Sequence, residues 1–197
     1  DIQDYIFESL LFAAPEPPFP LRGGIARAYP DVAADKLRYT FDLRPGVHFA
    51  DGTPLTVADV LFSMKVIQHP LVLATQLRNY YASVADAYVE GGERITFVCT
   101  EPYFRNDLML GGFKIIPRHF YDPEGLLDAV TVASLIDGSW EQGAHSEGAR
   151  RFADRFNREY NRRILGSGPY QLVNPETDLV TQQKVVLTRN ESYWGRG

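Results

Sequence analysis

The chain has a single cysteine, Cys99, so it can form no internal disulfide and no cysteine-based zinc site. It has no basic surplus either: 20 Lys and Arg stand against 25 Asp and Glu, a net charge of −5. A general nucleic-acid binder needs excess cations to neutralise phosphates, and that class is set aside. No stretch approaches the roughly 20 apolar residues that a membrane-spanning helix requires. The opening Asp1-Ile2-Gln3-Asp4-Tyr5 is acidic, has no basic leader and no initiator Met, and reads as the start of a segment trimmed from a longer protein, not as a signal peptide. Internal repeats and low-complexity tracts are also missing.

What is present is an ordinary globular composition over 197 residues, about one domain or two small ones. Aromatic residues are frequent, at 13%, and supply much of the area a core needs. Ile2, Tyr5, Ile6 and Leu10 recur at helical spacing and predict a helix over residues 1–12. From Ala13 to Gly24 the density of Pro and Gly forbids a helix and predicts an extended crossing segment at a domain boundary. Leu37, Tyr39, Phe41 and Leu43 alternate with Arg38, Thr40, Asp42 and Arg44, the pattern of a half-buried strand. A short strand is expected at Val47-His48-Phe49. Thr56 then caps a helix, with Asp59 three residues on in a capping-box position and Val60, Leu61, Met64 and Ile67 as its buried stripe.

His69-Pro70 stops that helix, and a less regular helical region runs on to Tyr80-Tyr81. Two strands, Val84–Val89 and Arg94–Thr100, flank the turn Glu90-Gly91-Gly92-Glu93. A short helix is expected over Tyr103–Leu110, a short strand at Lys114–Ile116, a loop over Ser139–Gly148 and a helix over Ala149–Arg163. The turn Gly166-Ser167-Gly168-Pro169 leads into strands over Tyr170–Val173 and Gln183–Arg189.

The residues that could carry chemistry do not assemble into a site. Cys99 sits mid-strand, where a thiol usually serves as a small inert hydrophobe. Ser167 lies between adjacent glycines, whereas a nucleophile elbow needs a Gly two residues to either side; a dinucleotide loop would need a third Gly where Gln171 stands. His48, His69, His119 and His145 show no helical metal-ligand spacing, so neither a metal nor another cofactor is expected. The arginines between Arg150 and Arg163 alternate with Asp154 and Glu159, as on a solvated helix face. Tyr80-Tyr81 and Tyr103-Phe104 are aromatic pairs at element ends, where rings serve either a core or a cleft wall.

The run from Leu43 to Val60, Leu-Arg-Pro-Gly-Val-His-Phe-Ala-Asp-Gly-Thr-Pro-Leu-Thr-Val-Ala-Asp-Val, closely resembles the signature segment of the family 5 extracellular solute-binding proteins, the peptide-binding components of ABC transporters. Three further segments match that family in its order. They are Ile6-Phe7-Glu8-Ser9-Leu10-Leu11, Ile116-Pro117-Arg118-His119, and Gly166-Ser167-Gly168-Pro169-Tyr170 followed by Arg189-Asn190-Glu191-Ser192-Tyr193-Trp194.

The resemblance implies an α/β fold of the type II periplasmic-binding-protein kind, with mixed sheets and flanking helices, in a partial chain lacking the C-terminal lobe. It places residues 1–14 and 166–197 in the first lobe and residues 15–165 in a smaller second domain. It implies a non-enzymatic component that captures peptides or similar small solutes between hinged lobes. Delivery would be to a membrane permease from a periplasmic or extracellular position, associated with the membrane through the transporter. Tyr80 and Tyr81, after the second-domain helix, are the candidate ligand-binding residues. The stretch from Asp122 to Arg163 is longer than in typical dipeptide binders. A chain missing a lobe is expected to expose a sheet edge and to self-associate. Two competing readings are a thiol or serine hydrolase using Cys99 or Ser167, and a sensor or chaperone that borrows the binding-protein fold.

Overall fold

A computed structural model describes residues 2–160, 163–180 and 184–195. The expected N-terminal helix is a single turn, α1 (Gln3–Ile6), because the backbone turns extended at Phe7. The following residues spend their hydrogen bonds on distant partners. Ile115 N–H donates to Glu8 O, Gly24 and Ala26 N–H to Leu10 O, and Ile25 N–H to Ser9 O. These tertiary bonds override the local helical spacing. The Pro-rich segment, expected to be extended, is the loop of a hairpin. β1 (Leu11–Ala13) and β2 (Leu21–Gly23) pair antiparallel as a hairpin, with Leu11 opposite Gly23. The prolines, which cannot donate to a ladder, are confined to its loop.

The main sheet has the order β3-β4-β6-β5, with β3 (Asp31–Val32), β4 (Arg38–Asp42), β5 (Val84–Gly91) and β6 (Arg94–Cys99), every pairing antiparallel. The alternation read from the sequence holds. Tyr39, Phe41 and Leu43 are buried on one face, and the rings of Phe41, Phe97 and Phe113 meet edge to face at 5.9 and 5.7 Å. The opposite face is polar and largely paired, although the buried Arg94 Nε has no hydrogen-bond partner. Thr40 and Thr96, directly opposite in the register, share a 2.7 Å hydroxyl hydrogen bond, and Thr96 also donates to Glu90. The β5–β6 turn uses Gly92 at φ +57°, a conformation that favours glycine. Val47–Phe49 forms no strand, only an isolated bridge from His48 to Pro54.

Across one face of this sheet lies α2 (Val57–Gln68). Asp59 closes the capping box at its start, accepting from the Thr56 N–H at 2.9 Å and the Thr56 hydroxyl at 3.0 Å. The expected single stripe is only half of the burial. Val60, Met64 and Ile67 join the sheet core, while Phe62 and Val66 enter a second core on the other side. Leu61, placed in the stripe, is only partly buried. Polar residues of the enclosed helix find partners: Lys65 Nζ donates to Leu127 O at 2.8 Å, and Gln68 Nε2 to Tyr81 O at 2.9 Å.

The second core is built by the long stretch after residue 117. α3 (Thr75–Tyr80) and α4 (Asn106–Gly112) precede it, and α5 (Arg118–Tyr121), α6 (Val132–Asp137), a 3₁₀ turn (Ser139–Gln142) and α7 (Ser146–Glu159) make it. Phe152 of α7 packs edge-on against Phe62 of α2 at 5.7 Å. α7 begins three residues before the expected start, and Asn161 and Arg162 of the expected helix lie outside the described residues. Lys114–Ile116 is extended but unpaired as a strand: Ile116 N–H donates to the Ser63 hydroxyl at 2.9 Å. At the end of the chain the two expected strands are short pieces. β7 (Tyr170–Gln171) is followed by a turn of helix, α8 (Pro175–Asp178), then β8 (Leu179–Val180), β9 (Lys184–Val185) and β10 (Thr188–Arg189). β7 pairs with β10 and β8 with β9. Gln183 lies outside the described residues.

Candidate functional site

Three of the sequence segments singled out above converge on one open cavity of about 820 Å³, lined among others by Glu8, Arg44, Lys114, Pro169 and Trp194. Glu8 is its hub. The extended backbone after α1 turns this carboxylate inward, where it accepts from the Tyr193 hydroxyl at 2.7 Å and the Trp194 indole N–H at 2.6 Å. Burial pushes the Glu8 carboxyl above its ordinary value, and these donors pull it back. Lys114 Nζ pairs with Asp4 at 2.6 Å, and the Arg44 guanidinium lies 5.9 Å from the centre of the Trp194 ring. The turn at residues 166–168 reaches this place by running against α1. A Cβ on Gly166 would stand 2.0 Å from the Ile6 carbonyl oxygen, and one on Gly168 2.5 Å from that of Tyr5. The polar groups of this wall largely satisfy one another, Arg44 through the Gly23 and Gly24 carbonyls, so it acts as a latch between distant parts of the chain. The fourth segment is held elsewhere: Asp59 Oδ1 accepts from Arg118 N–H at 2.8 Å.

A second surface carries the tyrosine pair. Tyr80 is 60% exposed and borders a recess of about 380 Å³ with Asn79, Ser83, Glu101, Tyr103 and Arg105. Tyr81 does not share that position. It is 5% exposed and packs edge-on against Phe113 at 6.0 Å, so it belongs to the core and offers nothing to a cleft. Sequence reading could not separate two adjacent tyrosines. It also missed Leu73 and Leu77, 83% and 52% exposed, which with Tyr80 form an apolar ridge on and just before α3, a helix with no buried residue. Their i, i+4, i+7 spacing was a visible signal, but such spacing ordinarily marks a core.

The ridge is held firmly. Asn157 of α7 accepts from Leu73 N–H at 2.9 Å and donates to Leu71 O at 2.8 Å, and Arg78 donates to the carbonyls of Ile67, His69 and Val72. Beside it Tyr103 and Phe104 meet edge to face with centroids 4.7 Å apart. The surface offers rings, aliphatic groups and the Arg105 guanidinium, a set suited to binding.

The candidate nucleophiles are poorly placed for catalysis. Cys99 is buried, and burial pushes its thiol up to about 11. Ser167 is fully buried, and among the described residues no histidine bonds to its hydroxyl. Also among the described residues, no three His, Cys, Asp or Glu side chains converge as a metal site. No described helix is long and apolar enough to cross a membrane.

Fold and surfaces define an α/β binding-protein unit. A family model described as bacterial extracellular solute-binding proteins, family 5, middle, matches residues 21–197, and the chain belongs to that family. It is 31% identical over 172 residues to the probable peptide-binding protein YejA of Agrobacterium fabrum, a match covering 86% of this chain and 22% of YejA. Among solved structures it resembles the binding protein MoaA from A. tumefaciens R10, in complex with mannopinic acid. That likeness has a TM-score of 0.68 and 22% identity over 98% of this chain and 32% of MoaA. The oligopeptide-binding protein AppA of Bacillus subtilis, in complex with a nonapeptide, is similar with a TM-score of 0.62 and 20% identity over the same shares. The chain thus spans between about a fifth and a third of the length of these relatives.

Proposed function

We propose that this chain is part of the non-enzymatic substrate-binding component of an ABC importer. It would capture peptides or similar small solutes between hinged lobes and deliver them, outside the cytoplasm, to a membrane permease. The observation that carries the reading is the rigid, exposed face of Leu73, Leu77 and Tyr80 beside a recess containing Tyr103 and Arg105, in a chain of this family. Fixed rings cost little ordering entropy when a flexible solute lies against them. The family membership and the peptide-binding description of YejA support a peptide as the solute. Hinge closure on such a solute is a population shift driven by contacts from both lobes.

In this reading residues 1–14 and 166–197 contribute to the first lobe and residues 15–165 to the second. The bonds from Glu8 to Tyr193 and Trp194 and from Gly168 N–H to Ile6 O support the first grouping. The β1–β2 hairpin spans the boundary between them. Calorimetric titration of the full-length protein with pooled tri- to nonapeptides tests the proposal. Peptide binding is expected, weakened at least about fivefold, or about 1 kcal/mol, by Tyr80→Ala. Binding unchanged in that variant would remove the α3 face from the site, and the absence of any peptide binding would overturn the solute class.

A further inference from the structure

His69 terminates α2 and is fully buried. Its ring lies between those of Trp140 and Phe152, at centroid distances of 5.1 and 6.3 Å. Both nitrogens are engaged in a way that fixes the proton. Nδ1 accepts from Leu71 N–H at 3.2 Å, so Nε2 carries the hydrogen and donates to Ala149 O of α7 at 3.1 Å. The same ring therefore ties α2, α7 and the 70–74 segment together. That segment is also the one pinned by Asn157, and it leads straight into α3. The charged groups facing the ring are both cations: Arg78 from α3, which donates to the His69 carbonyl at 2.7 Å, and Arg150 from α7. Arg150 lies over the Trp140 ring and pairs with Glu141 of the 3₁₀ turn at 3.1 Å. A second proton on this ring would meet a backbone N–H at Nδ1, two cations and an apolar sandwich.

We infer that His69 is an acid-sensitive latch: protonation of its Nδ1 releases the 70–74 segment and α3 from α7, loosening the apolar ridge without unfolding the sheet. The mechanism needs no solute and stands apart from the functional reading above. Burial and the two cations hold the ring's pKa down at about 4, against an ordinary 6.5. A depressed histidine contributes its full stabilisation above about pH 6.5 and loses it as the pH falls toward 4. If the opened segment restores the ordinary value, opening becomes roughly twentyfold more frequent between pH 7 and pH 5.

The test is amide hydrogen exchange at Leu71 and Leu73, corrected for intrinsic rate, alongside an NMR titration of the His69 ring in the 197-residue chain. The expected result is a neutral Nε2–H ring down to about pH 5 and exchange rising at least about tenfold between pH 7 and pH 5. His69→Gln, which keeps a donor but takes no proton, should abolish the rise. A ring titrating near its ordinary value, or the same rise in His69→Gln, would overturn the inference. Should that variant not fold, the wild-type protein decides: exchange must begin to rise near pH 6.5 while the closed ring is still neutral, and a rise that starts only below about pH 5, or none, overturns the latch.

Discussion

Replacing Asp59 by Ala tests how two distant sequence segments are joined. Asp59 is buried and accepts from three donors: Thr56 N–H, the Thr56 hydroxyl and Arg118 N–H. Four residues on, Ser63 donates to the Asp59 carbonyl at 2.7 Å and accepts from Ile116 N–H, so one face of α2 holds the whole 116–118 segment. In Asp59→Ala the half-buried Arg118 N–H loses its partner at a cost of about 2 kcal/mol, within the 1–3 kcal/mol range for an orphaned donor. Thr56 is exposed, so its N–H recovers water, and the cap there costs about 1 kcal/mol. The total is roughly 3 kcal/mol, against about 1 kcal/mol for Thr56→Ala, which removes only a hydroxyl. Asp59→Asn, whose amide must turn a donor toward one of the donors, should fall between. Urea unfolding with an unchanged m-value gives the comparison. The Thr56→Ala/Asp59→Ala pair should be less destabilised than the sum of the singles, because they share one carboxylate. Equal costs for the two single variants, or strict additivity, would refute the account.

Two other outcomes follow from close packing and burial. Gly166→Ala drives a methyl into the Ile6 carbonyl and should lower stability by about 3 kcal/mol, whereas Gly112→Ala, whose Cβ would meet nothing within 4 Å, should stay within about 0.5 kcal/mol by the same urea assay. Cys99 should resist iodoacetamide in the native protein near pH 8 and react once unfolded, since its thiol is raised to about 11; native-state alkylation at the rate of a free thiol would contradict its placement.

Local signals in the sequence were reliable where the distant partner accepts the local pattern, as β6 does for the alternation of β4, or where the bonds are themselves local. The alternation through Tyr39 and Phe41, the Thr56–Asp59 cap and the glycine turn of the β5–β6 hairpin all form as their patterns require. The misreadings share a cause, which is a partner far away in the chain. Residues 8–10 left the helix because Ile115, Gly24 and Ile25 needed their carbonyls. α2 needed two apolar faces because Phe152 and its neighbours cover it from behind, and no pattern inside residues 57–68 announces a second layer. Within the candidate sites, Tyr80 and Tyr81 are neighbours whose opposite fates depend on Phe113. Glu8 was visible only as part of a resembling segment, since its two donors lie 185 and 186 residues downstream.

That separation has a kinetic meaning. The bond from Trp194 to Glu8 closes a loop of 186 residues, while the β5–β6 hairpin closes across Gly92 and Glu93. Loop-closure entropy rises as (3/2)RT ln n, which makes the long closure about 3 kcal/mol more costly than a turn of a few residues. Contacts of that kind are rewarded only after the sheet already exists. The hairpin and its neighbour β4 are therefore the natural nucleus, and the meeting of α1 with the turn at 166–168 and with Trp194 comes last. The last closure to form is also the first to open, so amide protection and resistance to proteolysis should decline from β6 outward toward the two ends of the chain.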